Sequence, residues 1–226
     1  FNRWVMRTNI ETEKENSNLG RYFSPDVKEE IKNRGLNIQK SEPKDMNVAV
    51  LFTDIVNFTQ LSEKMNPGDV LVLLSNYQSI MVETIFEHNG TVDKFIGDAV
   101  MANFGTPKSY GNDAQNAFDC AVAMNLKLEN LNKKREQTNQ FKIEHRIGIH
   151  YGKCVVGNMG SKQRVEFAVI GDTVNVASRI CSACKEFDTN FLISDELAQM
   201  INYDLPSTTV SNYLIRGRNE PLDLIK

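Results

Sequence analysis

Apolar positions along the chain change spacing near residue 46. Residues 1–44 are polar and helix-prone with few apolar positions, and they read as a linker leading into a domain over residues 45–226. Inside the linker, "FSPDVKEEIKNRG" carries the signals of a short helix. Ser24 suits the N-cap, Pro25 the first helical position, Asp26 the positive end of the dipole and Gly35 the stop. Val27 and Ile31, four apart, would form its apolar stripe. Beyond the linker, residues 46–53 form an apolar run fit for a buried strand, and residues 58–64 suggest a short helix. Residues 67–88 repeat at helical spacing, with Val70, Leu73, Leu74, Tyr77, Ile80, Met81 and Ile85 on one face. "GTVDKFIGDAVMANFG" reads as two short strands joined by a turn at Gly97. A second long helix is predicted over residues 113–135. Strands follow over 142–150, 154–157 and 165–170, then a helix over 173–186 and strands near 191–193 and 209–215.

Strand, helix and two-strand hairpin is the first half of a ferredoxin-like βαββαβ core, an α+β fold, here with an added hairpin and C-terminal strands. A right-handed crossover makes the first two strands parallel and lets the hairpin's second strand insert between them, antiparallel to the first. The end of the strand at Thr53 would then lie beside the start of the strand at Ala99. That arrangement brings Asp54 and Asp98, 44 residues apart, to one end of a central sheet.

The chain of 226 residues has room for one sizeable domain with an extension, and 41% hydrophobic with 24% charged residues is an ordinary globular composition. A net charge of -3 and a pI near 5.7 argue against nucleic acid as a partner. No apolar run approaches the roughly 18 to 20 residues of a membrane span, and no signal-peptide pattern opens the chain, so a cytoplasmic location is expected. The chain begins at Phe1 and not at a methionine, from which we expect a longer protein with its regulatory region upstream; the sequence leaves open whether that longer protein attaches to the cytoplasmic side of a membrane. Cys120, Cys154, Cys181 and Cys184 are too few and scattered for a disulfide scaffold. "CSAC" has C-x-x-C spacing without a second pair, which favours core filling over a zinc or redox site.

Asp54 at the end of an apolar run has two readings: the N-cap of the following helix, or a metal ligand. Convergence with Asp98 favours the second, because two adjacent carboxylates repel unless a cation lies between them. Oxygen ligands without histidine or cysteine point to magnesium or manganese. Two such ions, about 3.5 to 4 Å apart, serve phosphoryl transfer. The turn into helix at "IVNFT" would offer N–H groups, at Phe58 and Thr59, to a triphosphate. In "VEFAVIGDTVNVASRICSAC", Asn175 and Arg179 share one helical face, either as a solvated pair or as groups for a transferring phosphoryl. Asp172, just before "TVNVAS", reads as an N-cap in preference to a third acid.

"LFTDIVNFTQLSE", "GTVDKFIGDAVMANFG", "GIHYGKCVVGNMGS" and "VEFAVIGDTVNVASRI" resemble, in order, the signature segments of the class III adenylate and guanylate cyclase catalytic domain. "LGRYFSPDV" also resembles the segment that precedes this domain in many bacterial members. The resemblance implies cyclisation of a nucleoside triphosphate to a 3′,5′-cyclic monophosphate and pyrophosphate, with two Mg2+ or Mn2+ ions per site. It implies that Asp54 and Asp98 bind metal, with Ile55 offering a backbone carbonyl. It assigns Asn175 to the ribose and Arg179 to the transition state, and Arg216 falls where the family has a triphosphate-binding lysine. Lys94 matches the lysine of adenine-selective members. Where those members carry an Asp or Thr acceptor for the adenine amino group, this chain has Ala168. ATP is therefore the expected substrate, and the expected active form is a head-to-tail homodimer, each site drawing on both chains. The alternatives are a guanylate cyclase, which usually has an acid in place of Lys94, and an inactive cyclase-fold dimerisation module.

Overall fold

A computed structural model of the chain describes residues 24–34, 42–161, 163, 165–204, 206–216, 218 and 220–226. The elements, in chain order, are α1 (Pro25–Arg34), β1 (Lys44–Ile55), α2 (Phe58–Ser62), α3 (Pro67–Glu87), β2 (Thr91–Ile96), β3 (Ala99–Phe104) and α4 (Asp113–Gln137). They continue with β4 (His145–Gly160), β5 (Val165–Ile170), α5 (Asp172–Ala183), β6 (Phe191–Ser194), α6 (Asp195–Ala198), β7 (Thr209–Tyr213) and β8 (Leu222–Ile225).

The strands form one sheet in the order β2-β3-β1-β4-β6-β8-β7, with β5 paired to β4 as a side arm. The β2-β3-β1-β4 portion, with α3 and α4 as its crossovers, is the expected βαββαβ core. β1 lies at its centre, antiparallel to both β3 and β4. Its apolar run is continuous because both faces are covered. Ala49, Leu51 and Ile55 pack beneath α3 and α4 with Tyr77, Met81 and Phe118, while Val48, Val50 and Phe52 meet Ala177 and Cys181 of α5 on the other face. Helix α3 buries Leu73, Tyr77, Met81 and Ile85 of the predicted stripe; Val70, Leu74 and Ile80 sit at its margins. Helix α5 lies close to β4, since a Cβ at Gly148 would collide with the backbone of Cys181.

Four expectations need correction. The strands predicted at 142–150 and 154–157 are one strand, because β1 pairs with β4 without interruption from Lys44↔Val156 to Ile55↔His145 and carries the backbone straight through Gly152. Strand β8 has no counterpart in the sequence reading; its four residues gain their structure from pairing with β6 and β7. Asp172 is not the N-cap of α5. Gly171 holds that position, and the Asp172 carboxylate lies 3.6 Å from Arg218 Nε instead. Ser24 does not cap α1 with its side chain: its hydroxyl donates to the Val92 carbonyl of β2 at 2.9 Å and so fastens the linker helix to the domain. Gly35 and the Ile31 side chain lie outside the described residues.

Cys181 in α5 and Cys184 just past its end are core residues whose thiols donate to the Arg146 and Ile147 carbonyls. Among the described residues, no helix is long and apolar enough to cross a membrane.

Candidate active site

β1 ends by delivering Asp54 at the rim of the sheet, and the hairpin turn between β2 and β3 delivers Asp98 beside it. Gly97 takes φ 64° in that turn, a conformation an L side chain rarely adopts. The two acids are tied together: the Ile55 N–H donates to Asp98 Oδ2 at 2.9 Å. Asp54 is not the cap of α2, for Asn57 occupies that position at φ 56°. Instead, Asp54 Oδ1 is buried and has no hydrogen-bond partner among the described residues. Burial pushes its carboxyl up to about 6; the charge of Arg146 opposes this shift and that of Asp98 adds to it. An orphaned carboxylate oxygen beside a second carboxylate is the environment a hard divalent cation relieves, so these residues fit one. Among the described residues, no cluster of three or more His, Cys, Asp or Glu side chains could hold a metal, so the fit rests on Asp54 and Asp98.

Arg146 is the residue sequence reasoning missed. It opposes Asp54 directly in the β1–β4 register and is the cation acting on that carboxyl. It carries no signal of its own in the sequence, since Lys142 and Glu144 stand close before it in the chain. After β1, α2 begins at Phe58, which packs on the core, and Thr59 is exposed.

The second set lies elsewhere. Helix α5 buries Val176, Ala177 and Ile180, leaving Asn175 exposed and Arg179 half-buried. Neither side chain has an intramolecular partner among the described residues, and Arg179 makes no ion pair with Asp54 or Asp98. The geometry of the helix explains why. Cys181 faces the sheet and feels the Asp54 charge, while Arg179, two residues earlier, is turned roughly 200° away. Ala168 is buried in β5, Lys94 lies half-exposed on the edge strand β2, and Arg216 is exposed in the turn after β7. One chain therefore brings Asp54, Ile55, Asp98 and Arg146 together and carries Asn175 and Arg179 on an outward face.

The sequence profile of the adenylate and guanylate cyclase catalytic domain matches residues 40–223. The chain belongs to this family. It is 34% identical over 177 residues to adenylate cyclase 1 of Rhizobium meliloti (strain 1021), a match covering 78% of this chain and 27% of that protein. The first curated relatives are much longer, and the chain spans about a quarter to a third of their length. The crystal structure of the adenylyl cyclase CyaB from P. aeruginosa superposes with a TM-score of 0.75 at 32% identity, covering 82% of this chain and 95% of that one. The guanylyl cyclase Cya2 superposes at 0.73 with 31% identity, covering 82% and 93%. Class III cyclases act as dimers and use divalent metals, so a cyclase domain with its two residue sets on different surfaces is consistent with its family.

Behind the Asp54 end of β1, the cyclase domain buries a polar chain. Thr53 Oγ1 lies 2.8 Å from the Tyr77 hydroxyl, which lies 3.2 Å from His145 Nδ1; His145 Nε2 lies 3.1 Å from Asn125 Oδ1. The amide oxygen can only accept, so His145 carries its proton on Nε2 and Nδ1 accepts from Tyr77. Burial lowers its pKa from 6.5 to about 4. The folded state thus keeps His145 neutral where the unfolded chain protonates it, and its contribution is complete above pH 6.5 and lost as pH falls toward 4. Over that window the loss should reach roughly 3 kcal/mol. Urea unfolding at pH 7.5 and pH 4.5 measures it. His145→Leu should be destabilised at pH 7.5 by about 1–3 kcal/mol, because the Asn125 amide oxygen loses its donor and the Tyr77 hydroxyl keeps only Thr53, and should show a flatter pH dependence than wild type. Equal pH dependence in the two proteins contradicts the neutral buried histidine.

Proposed function

We propose that this domain is an adenylate cyclase that converts ATP to 3′,5′-cyclic AMP and pyrophosphate at sites shared by two chains of a head-to-tail homodimer. The observation that carries the chemistry is the orphaned Asp54 oxygen beside Asp98. Two divalent ions, magnesium or manganese, held by Asp54, Asp98 and the Ile55 carbonyl would activate the attacking 3′ oxygen and neutralise the leaving pyrophosphate. Arg146, across from Asp54, supplies a positive group to the triphosphate. The N–H groups of Phe58 and Thr59 and the Arg216 guanidinium complete that cradle. Asn175 of the partner holds the ribose so that its 3′ oxygen faces the α-phosphorus. Arg179 of the partner offsets the charge that builds on the phosphoryl oxygens as the new ester bond forms and the bond to pyrophosphate breaks. Residues 45–226 constitute this catalytic unit, and residues 1–44 connect it to an upstream regulatory region. Four buried free thiols fit a reducing, cytoplasmic setting.

ATP is favoured by Lys94, which can only donate, and adenine presents an acceptor at N1 where guanine carries a hydrogen. The rival substrate is GTP. Ala168 has no side-chain acceptor for the adenine amino group, and the guanine carbonyl can also accept from Lys94. The preference should therefore be real but loose, one missing contact being worth about 0.5–1.5 kcal/mol. The test is product identification with ATP and GTP, followed by kcat/KM for both nucleotides in Ala168→Thr and Lys94→Glu. Ala168→Thr should sharpen the preference for ATP. Lys94→Glu should erode it, since an acceptor then faces the N1 lone pair. An unchanged ratio in Lys94→Glu would mean that Lys94 does not read the base, and the adenylate assignment would lose its support.

A further inference from the structure

Strand β2 carries an irregularity beside Lys94. Its pairing with β3 slips between Val92, which opposes Ala102, and Lys94, which opposes Met101, leaving Asp93 as an extra residue. Successive side chains on a regular strand point to opposite faces. The bulge breaks this alternation, and the two neighbours meet, Lys94 Nζ lying 3.2 Å from Asp93 Oδ1.

The two partners differ sharply in environment: the Asp93 side chain is 4% exposed and that of Lys94 50%. A carboxylate so deeply placed needs partners, and its other oxygen accepts from Asn103 Nδ2 at 2.9 Å. Asn103, on β3, is buried, and its Oδ1 has no hydrogen-bond partner among the described residues. An amide with one end orphaned is a poor stabilising element, and an ion pair to a half-exposed ammonium contributes little to folding. Stability does not account for the trio. What the trio does is fix a carboxylate and, through it, the direction of an ammonium.

We propose that Asp93 is a positioning residue for base selection: anchored by Asn103, it aims Lys94 at the purine. The proposal rests on the adenylate reading. An ammonium has three donors, so one on Asp93 leaves two for the base. A free lysine would surrender the rotamer freedom of its long stem when ATP binds. Here that freedom is surrendered beforehand, and the gain falls on ATP binding in preference to turnover. Asp93, Lys94 and Asn103 all line one cavity of about 370 Å³, bordered also by Phe167 of β5 and by Ser24 and Val27, so the trio stands beside free space.

The experiment is steady-state kinetics with ATP and GTP on the dimeric enzyme, in Asp93→Ala, Asp93→Asn, Asn103→Thr, Lys94→Met and the Asp93→Ala/Lys94→Met pair. Asp93→Ala should raise KM for ATP about fivefold with kcat nearly unchanged, the scale of one hydrogen bond, and lower the ATP:GTP ratio of kcat/KM by the same factor. Asp93→Asn, which keeps an acceptor, should recover part of the loss. Asn103→Thr should reproduce the effect more weakly without touching Asp93 itself, which keeps the test open should Asp93→Ala not fold. With Lys94 already methionine, Asp93→Ala should change nothing further. An unaltered ratio in both Asp93→Ala and Asn103→Thr overturns the proposal, and so does an equal loss with and without Lys94, which would make Asp93 structural. An unaltered ratio in Lys94→Met defeats the adenylate reading itself, so the two failures are read from different variants.

Discussion

Asp54→Asn is expected to abolish cyclase turnover while making the metal-free domain more stable. Both halves follow from one carboxyl. Removing it withdraws an anionic oxygen ligand from the metal pair, and loss of that stabilisation should slow the reaction about a thousandfold, or ~4 kcal/mol in the barrier. In the absence of metal the same group is a liability. Its pKa is raised from 3.8 to about 6 by burial, so its contribution to stability is complete below pH 3.8 and lost as pH rises through 6. At pH 7.5 the folded domain therefore holds a charge that the unfolded chain solvates better. The carboxyl is partly exposed, so the penalty is screened, and a rise of about 2–4 °C in melting temperature is the appropriate scale. Saturating manganese should reverse the order, because metal stabilises only the protein that binds it. Activity above a tenth of wild type would sink the metal assignment. A metal-free melting temperature below wild type would instead contradict the strained carboxyl.

Two inactive variants should restore each other. Asp54→Ala and Arg179→Ala, co-expressed and purified as mixed dimers, would combine one site damaged twice with one site intact, since each residue reaches a given site from a different chain. Every purified mixed dimer has one of its two sites working, so about half of wild-type activity per chain is expected. The structural motive is the outward turn of Arg179 on α5, away from the end of the sheet that holds Asp54. Mixed dimers as inactive as either parent would defeat the shared site.

The placement of these residues was largely legible because they sit where local patterns change. Asp54 stands at the end of an apolar run, Asp98 in a hairpin turn, and Asn175 and Arg179 at helical spacing, and the topology of a crossover is enough to bring the two aspartates together. Arg146 was not legible, because a cation at the start of a strand acquires meaning only when the register sets it opposite Asp54. Strand β4 was divided in the reading at Gly152, a residue that locally favours a break; pairing along the full length of β1 overrides that preference. Strand β8 is too short to carry a periodic signal, and Ser24, a good cap by residue type, found a better acceptor on a strand 68 residues away. The bulge at Asp93 belongs to the same class: nothing in "TVDKF" marks where alternation fails.

Strand β1 has a mechanical consequence. The chain enters the cyclase fold at Lys44 and reaches Asp54 along the same twelve-residue strand, with no joint between. Neighbours grip that strand on both edges, and sliding it by one residue would turn every apolar side chain to the wrong face. A push from upstream cannot travel along β1 as a piston stroke. It can only swing the whole domain as a rigid body, and if the aspartates and the arginine belong to different chains, as proposed, such a swing would switch the enzyme without any change inside either chain.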